Sequence, residues 1–144
     1  MAPVPFHYLD LQAFAYATED TERVVQALQH FLPEDATIER EASSGHHGDA
    51  ITILSTRIET ADEMRVVLDA LFAIDGVERF QQELSKRIDD DCAFFLRFDK
   101  QQAFQGHSAI GKGIQLRGKV EAYPASKEAA IDNVAAYFQT VLEE

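Results

Sequence analysis

Cysteine is nearly absent from this 144-residue chain, where Cys92 stands alone. One thiol can close no internal disulfide and build no cysteine-based zinc site, which points to a reducing compartment. Positive charge is scarce as well. Lys and Arg number 13 against 25 Asp and Glu, for a net charge of −12, and only five of the 13 are Lys. No apolar run approaches the ~20 residues a membrane span needs. The opening residues, Met1-Ala2-Pro3-Val4-Pro5, carry neither a basic residue nor an apolar stretch, so no secretory signal is expected. A soluble, cytoplasmic protein with no membrane partner follows as the expectation. No glycine-rich phosphate fingerprint follows a strand, no nucleophile elbow surrounds Ser43 and Ser44, and Asp89-Asp90-Asp91 lack EF-hand spacing. Nothing repeats and no linker divides the chain. Residues 1–144 therefore read as one domain around one core, consistent with an apolar fraction of 46%.

The acids are spread along the chain rather than gathered in a tail. A dispersed acidic surface with little Lys resembles a protein adapted to a salt-rich, halophilic cytoplasm, where carboxylates hold water and keep neighbours apart. Repulsion of nucleic acid by an acidic protein fits the net charge equally, and charge alone does not choose between them.

Periodicity supplies the elements. From Phe6 to Ala17 the chain alternates, with Leu9, Leu11, Ala13 and Ala15 on one face and Tyr8, Asp10, Gln12, Phe14 and Tyr16 on the other, which predicts a strand. The outer rings suit a platform for stacked bases, or a surface covered by another element or subunit. Thr18 or Asp20 caps a helix over 21–32 that Pro33 ends. A hairpin is expected with strands near 36–42 and 50–58, joined by Ser43-Ser44-Gly45-His46-His47-Gly48-Asp49. Thr60 and Glu63 form a capping box for the next helix. Asp75-Gly76 breaks that helix, and Val77, Phe80, Leu84 and Ile88 start another. Cys92–Phe98 and Ile114–Glu121 read as strands, with a helical turn at 100–105 and a loop bracketed by Gly106, Gly111 and Gly113 between them. Ser126 caps the last helix. This order predicts an α+β domain: a mainly antiparallel sheet with helices packed on one face.

The functional signal is a reversal of charge. Between Arg97 and Lys119, five cations (Arg97, Lys100, Lys112, Arg117 and Lys119) meet one acid, Asp99, a local +4 that leaves −16 on the rest of the chain. Clustered cations of this kind fit phosphate contacts, and Gln101 in the adjoining amide-rich run can address base edges or riboses. His46 and His47, with Asp49, occupy a turn that could touch the same ligand. Adjacent histidines point apart and rarely chelate together, so no metal is expected there, and no cofactor is implied elsewhere. Three aspartates beside Cys92 disfavour its thiolate, so it reads as core filler.

Three stretches together resemble a known family: Ser44-Gly45-His46-His47-Gly48-Asp49, the run from Phe95-Leu96-Arg97-Phe98-Asp99-Lys100-Gln101 through Phe104 and Gly106, and Leu116-Arg117-Gly118-Lys119-Val120-Glu121-Ala122-Tyr123-Pro124. They are similar to an archaeal family of RNA-binding proteins also described as predicted exosome subunits. The resemblance implies RNA binding without known catalytic residues. It also implies a fold similar to the large-subunit ribosomal protein that binds 5S rRNA. The resulting expectation is an RNA-binding module, an accessory factor of RNA processing or exosome-type degradation, that is not an enzyme. Its RNA contacts would be Arg97, Lys100, Gln101, Lys112, Arg117 and Lys119, with His46 and His47 secondary. The alternatives are a dimerising or scaffold subunit that meets its partner, a second copy included, through the aromatic strand face, and a small hydrolase built on His46, His47 and Asp49.

Overall fold

The alternating first stretch becomes β1 (Phe6–Tyr16), the longest strand. Residues 3–45 and 47–144 are described by a computed structural model; His46 lies outside the described residues. The remaining strands are β2 (Glu39–Ser44), β3 (Ala50–Ile58), β4 (Ala93–Asp99) and β5 (Gly113–Val120). They form a five-stranded sheet in the order β2–β3–β1–β5–β4, antiparallel at every junction, with β1 at its centre. The helices are α1 (Thr21–Gln29), α2 (Ala61–Phe72), α3 (Phe80–Arg87), α4 (Lys100–Phe104) and α5 (Lys127–Leu142), with a 3-10 turn at Val77–Arg79 leading into α3.

The starts of α1, α2 and α5 have a chemical cause. The Asp20 carboxylate accepts the Glu22 amide at 3.0 Å, and Ser126 Oγ accepts the Ala129 amide at 3.2 Å. Thr60 Oγ1 accepts the Glu63 amide at 3.3 Å and donates to the Glu63 carboxylate at 2.7 Å. These bonds satisfy amides that the first helical turn leaves without partners. The helices then bury their apolar stripes against one face of the sheet. Leu9, Leu11 and Ala13 of β1, Leu54 and Ile58 of β3, Phe94, Leu96 and Phe98 of β4 and Ile114, Leu116 and Val120 of β5 share one core with residues of every helix. Aromatic pairs tie the layers together. Phe31 stacks on Phe98 with centroids 4.1 Å apart, and Phe138 meets Phe72 at 4.9 Å and Phe94 at 6.4 Å.

Four expectations shift. The first hairpin strand lies at 39–44 rather than 36–42, because residues 33–36 close a turn (Ala36 amide to Pro33 carbonyl, 3.1 Å) and the Thr56 hydroxyl holds the Thr37 carbonyl at 2.8 Å. The first helix leaves α geometry at Gln29. Phe31 and Leu32 continue it only through three-residue steps, to the carbonyls of Leu28 and Gln29. Cys92 precedes β4 in a turn with φ 62 instead of starting the strand; it is buried, and its Sγ donates to the Ser126 carbonyl at 3.5 Å. A register shift between Phe6 and Tyr8 turns Phe6 into the core, so the alternation of β1 changes phase there.

Candidate nucleic-acid interface

Among the described residues the other face of the sheet carries no helix, and register fixes what it presents. One row across the strands runs Arg57, Asp10, Arg117, Phe95, from β3 to β4. The next runs Glu39, Ser55, Gln12, Gln115, Arg97, from one edge of the sheet to the other. Residues paired this way share a face, with side chains ~5 Å from their neighbours. Tyr8 and Lys119 lie on one side of these rows, and Phe14 and Tyr16 on the other.

Much of the polarity on this face is spent internally. Arg57 donates to both Asp10 oxygens, at 2.8 and 3.0 Å, and its guanidinium lies 3.9 Å from the centre of the Tyr8 ring. Those contacts hold the Arg57 charge firmly and raise its pKa; the hydrogen bond to Asp10 is the main cause. Arg117 reaches the Tyr8 hydroxyl at 3.3 Å and sits 5.8 Å from the Phe95 ring. Lys119 donates to the Asp91 carbonyl. Lys100 is the most committed cation. It bonds the Phe14 carbonyl at 3.2 Å and Glu19 at 2.7 Å, and its side chain is only 17% exposed. Burial pushes the Glu19 carboxyl up, but the bonds from Lys100 and the Tyr16 amide, with the Lys100 charge, outweigh it and bring its pKa below the ordinary range. Among the described residues, Arg97, Lys112 and Arg117 have no carboxylate partner.

Two connected hollows lie over this face. A groove of about 940 Å³ crosses the sheet from Asp35, Glu39, Glu59 and Glu63 at the β2–β3 side to Phe95, Arg97 and Arg117 at the β4–β5 side. It is acidic at one end and basic at the other. A pocket of about 190 Å³ adjoins it, lined by Phe14, Tyr16, Arg97, Lys100 and Lys112 and by no carboxylate. Gln12, Gln115 and Arg97 line both hollows. The pocket exists because the loop before β5 folds back onto the end of β4. The Gly111 amide donates to the Arg97 carbonyl at 3.2 Å, and the Lys100 amide to the Lys112 carbonyl at 3.0 Å. A Cβ at Gly111 would lie 2.5 Å from Asp99 Cβ, and one at Gly113, where φ is +117, 2.6 Å from Lys100 Cβ. Glycine at these two positions lets the loop close and brings Lys112 over the sheet.

A family model described as RNA binding matches residues 8–120. The chain belongs to this RNA-binding family. An RNA-binding protein of Pyrococcus abyssi is 28% identical over 144 residues, covering 92% of this chain and 94% of its own. A DUF54 protein of Methanothermobacter thermautotrophicus is 38% identical, with a TM-score of 0.76 over 90% of this chain and 95% of its own. A DUF54 protein of Archaeoglobus fulgidus is similar in fold, with a TM-score of 0.79 at 24% identity over 88% and 95% of the two chains. The span that defines the RNA-binding family runs from Tyr8 to Val120, so it holds all the rows of the open face and omits α5.

The structure therefore brings Arg97, Lys100, Lys112, Arg117 and Lys119 to one side of an RNA-binding family member, but not as equals. Lys100 was expected as an exposed contact and is a half-buried, ion-paired one. Gln101 is exposed on α4 and lines neither hollow. His47 is exposed in the β2–β3 turn and lines neither hollow, and the role expected of His46 falls outside the described residues. Among the described residues no three His, Cys, Asp or Glu side chains gather as metal ligands, and no helix is long and apolar enough to cross a membrane. Sequence reasoning missed Arg57 and Ser55 as parts of this face. Their place in alternating strands was readable, but which strands sit side by side was not.

Proposed function

We propose that the open sheet face is the RNA-binding surface, and that the 144 residues act as one non-catalytic binding module in the cytoplasm, an accessory factor of RNA processing or exosome-type degradation. The observation that carries this reading is the meeting of Arg97, Arg117 and Lys112, cations without carboxylate partners, with Phe14, Tyr16 and Phe95 around two connected hollows. Cations beside exposed rings on a bare sheet suit phosphates and unstacked bases. Membership of the RNA-binding family supports the same choice. Arg97, Arg117 and Lys112 supply the phosphate contacts, Lys119 an adjacent one, and Lys100 holds the pocket wall. Gln101, His46 and His47 extend the surface only for a longer RNA. The test is binding of a fluorescent single-stranded RNA across a KCl series, with Arg97→Gln and Arg117→Gln combined. Each lost phosphate contact lowers the salt slope of log K by about 0.7, so the pair lowers it by about 1.4. An unchanged slope and affinity in the folded double variant would overturn the assignment.

One observation favours a second reading, a dimerising or scaffold subunit. The same face exposes Tyr16 at 48% and Phe95 at 42%, and its groove is acidic at one end and basic at the other, which suits a second copy related by a two-fold axis. Sedimentation of the RNA-free protein separates the readings. A monomer favours RNA on this face; a dimer that dissociates on Arg97→Glu and re-forms when Glu39→Arg is added favours the scaffold.

A further inference from the structure

The middle row of the open face holds hydrogen-bonding capacity that no other described residue uses. Gln12 and Gln115 are register partners on the two central strands β1 and β5, with Arg97 beside Gln115 and Ser55 beside Gln12. The charged groups around it are at least partly committed, Arg57 with Asp10 and Arg117 with Tyr8 in the adjoining row, and Lys100 with Glu19 at the pocket wall. Neither glutamine amide has a hydrogen-bond partner among the described residues, although Gln12 is half-buried. Both lie at the junction of the groove and the basic pocket. Two residues along β1 from Gln12 is Phe14; two residues along β4 from Arg97 is Phe95. Two residues of strand span ~7 Å, so the amides sit between rings at stacking reach.

Such a slot fits a flat heterocycle better than a phosphate. A glutamine amide offers one donor and one acceptor side by side, a pattern that pairs with an exocyclic amine and an adjacent ring nitrogen; cytosine presents that pair once, whereas adenine presents it on two edges, at N6/N7 and N6/N1, so two neighbouring glutamines fit adenine best. The cations are displaced to the side, where Arg97 and Lys112 can hold the phosphates before and after the base. In an RNA duplex the base edges are paired or buried in a groove side chains cannot read, so the occupant must be unpaired.

Resting on the RNA-binding reading above, we infer that Gln12 and Gln115 are specificity-determining residues that read an unpaired adenine in single-stranded RNA. The test compares short single-stranded oligo(A), oligo(C), oligo(G) and oligo(U), with a duplex of the same length as competitor, at one fixed KCl concentration. The wild-type protein should prefer oligo(A) on the order of tenfold, and the duplex should not compete. Gln12→Ala with Gln115→Leu should bind all four at the level of the weaker ones. Arg97→Gln should weaken all four while keeping the order. Binding of RNA with no base preference, or a preference that survives loss of both glutamines, overturns this inference and leaves the RNA surface standing. A preference for guanine moves the readout to Arg97 and also overturns it. No binding to any of the RNAs defeats the underlying reading, and this one with it.

Discussion

Strand β1 separates two chemistries along a single backbone. Leu9, Leu11, Ala13 and Ala15 on its covered face are at most 2% exposed and belong to the apolar core. Tyr8, Asp10, Gln12 and Phe14 on its open face are half-buried by their own neighbours in the sheet. On the first face every side chain is used up by packing, so its identity reports stability. On the second, ion pairs use some groups, while Gln12, Gln115 and Arg97 keep their hydrogen-bonding capacity. The contrast teaches where to look for function in this fold: not at the largest concentration of charge, but where charge and amide groups remain uncommitted after the structure has paired what it needs.

Substitutions can break that contrast. The largest effect is expected on the covered face. Phe98→Ala removes the ring stacked on Phe31 and should cost about 3–5 kcal/mol in denaturant unfolding. A cost under about 1 kcal/mol would mean the covered face is not the stabilising one. Next comes salt. With −12 on the chain, raising KCl should raise the melting temperature towards ~1 M, where the screening length is only about 3 Å. RNA binding should persist there, because three cations without carboxylate partners give a salt slope of only about −2 and the rings and amides carry the rest. A protein most stable at low salt would refute the halophilic reading.

A smaller effect follows from His30, whose Nε2 meets Ser108 Oγ at 2.9 Å. Burial, and then the nearby His107, hold its pKa below the ordinary value. The unfolded chain therefore takes up that proton first as pH falls. The contribution is complete above the usual histidine pKa of about 6.5 and is lost as pH drops through and below it. His30→Gln should flatten the stability profile in that window; a steeper profile would reverse the sign. The smallest expected stability change belongs to the open face. Arg97→Gln with Arg117→Gln should leave unfolding within about 0.5 kcal/mol of wild type. A loss comparable to that of Phe98→Ala would erase the difference between the two faces.

The elements were legible because each is written locally: alternation in β1, caps at Thr60 and Ser126, the Asp75-Gly76 break. The α+β class followed from their order. What failed to show was phase and pairing. The register shift next to His7 leaves no local pattern, so the inward turn of Phe6 was invisible. The Lys100–Glu19 pair joins residues 81 positions apart, and nothing near Lys100 announces that it is already neutralised. The basic island marked β4, β5 and their loop, whose cations line the basic end of the open face. Gln12 and Gln115 carry no charge and stand in different strands, so only the register that makes them neighbours reveals them.

The central claim, that RNA lies on the helix-free face, is tested most directly by following backbone amide resonances while a short single-stranded RNA is titrated in. The account predicts that the largest shifts fall on Gln12, Phe14, Phe95, Arg97, Lys112 and Gln115, with α2, α3 and α5 nearly unmoved. Shifts concentrated on those helices, with β1, β4 and β5 unchanged, would contradict it.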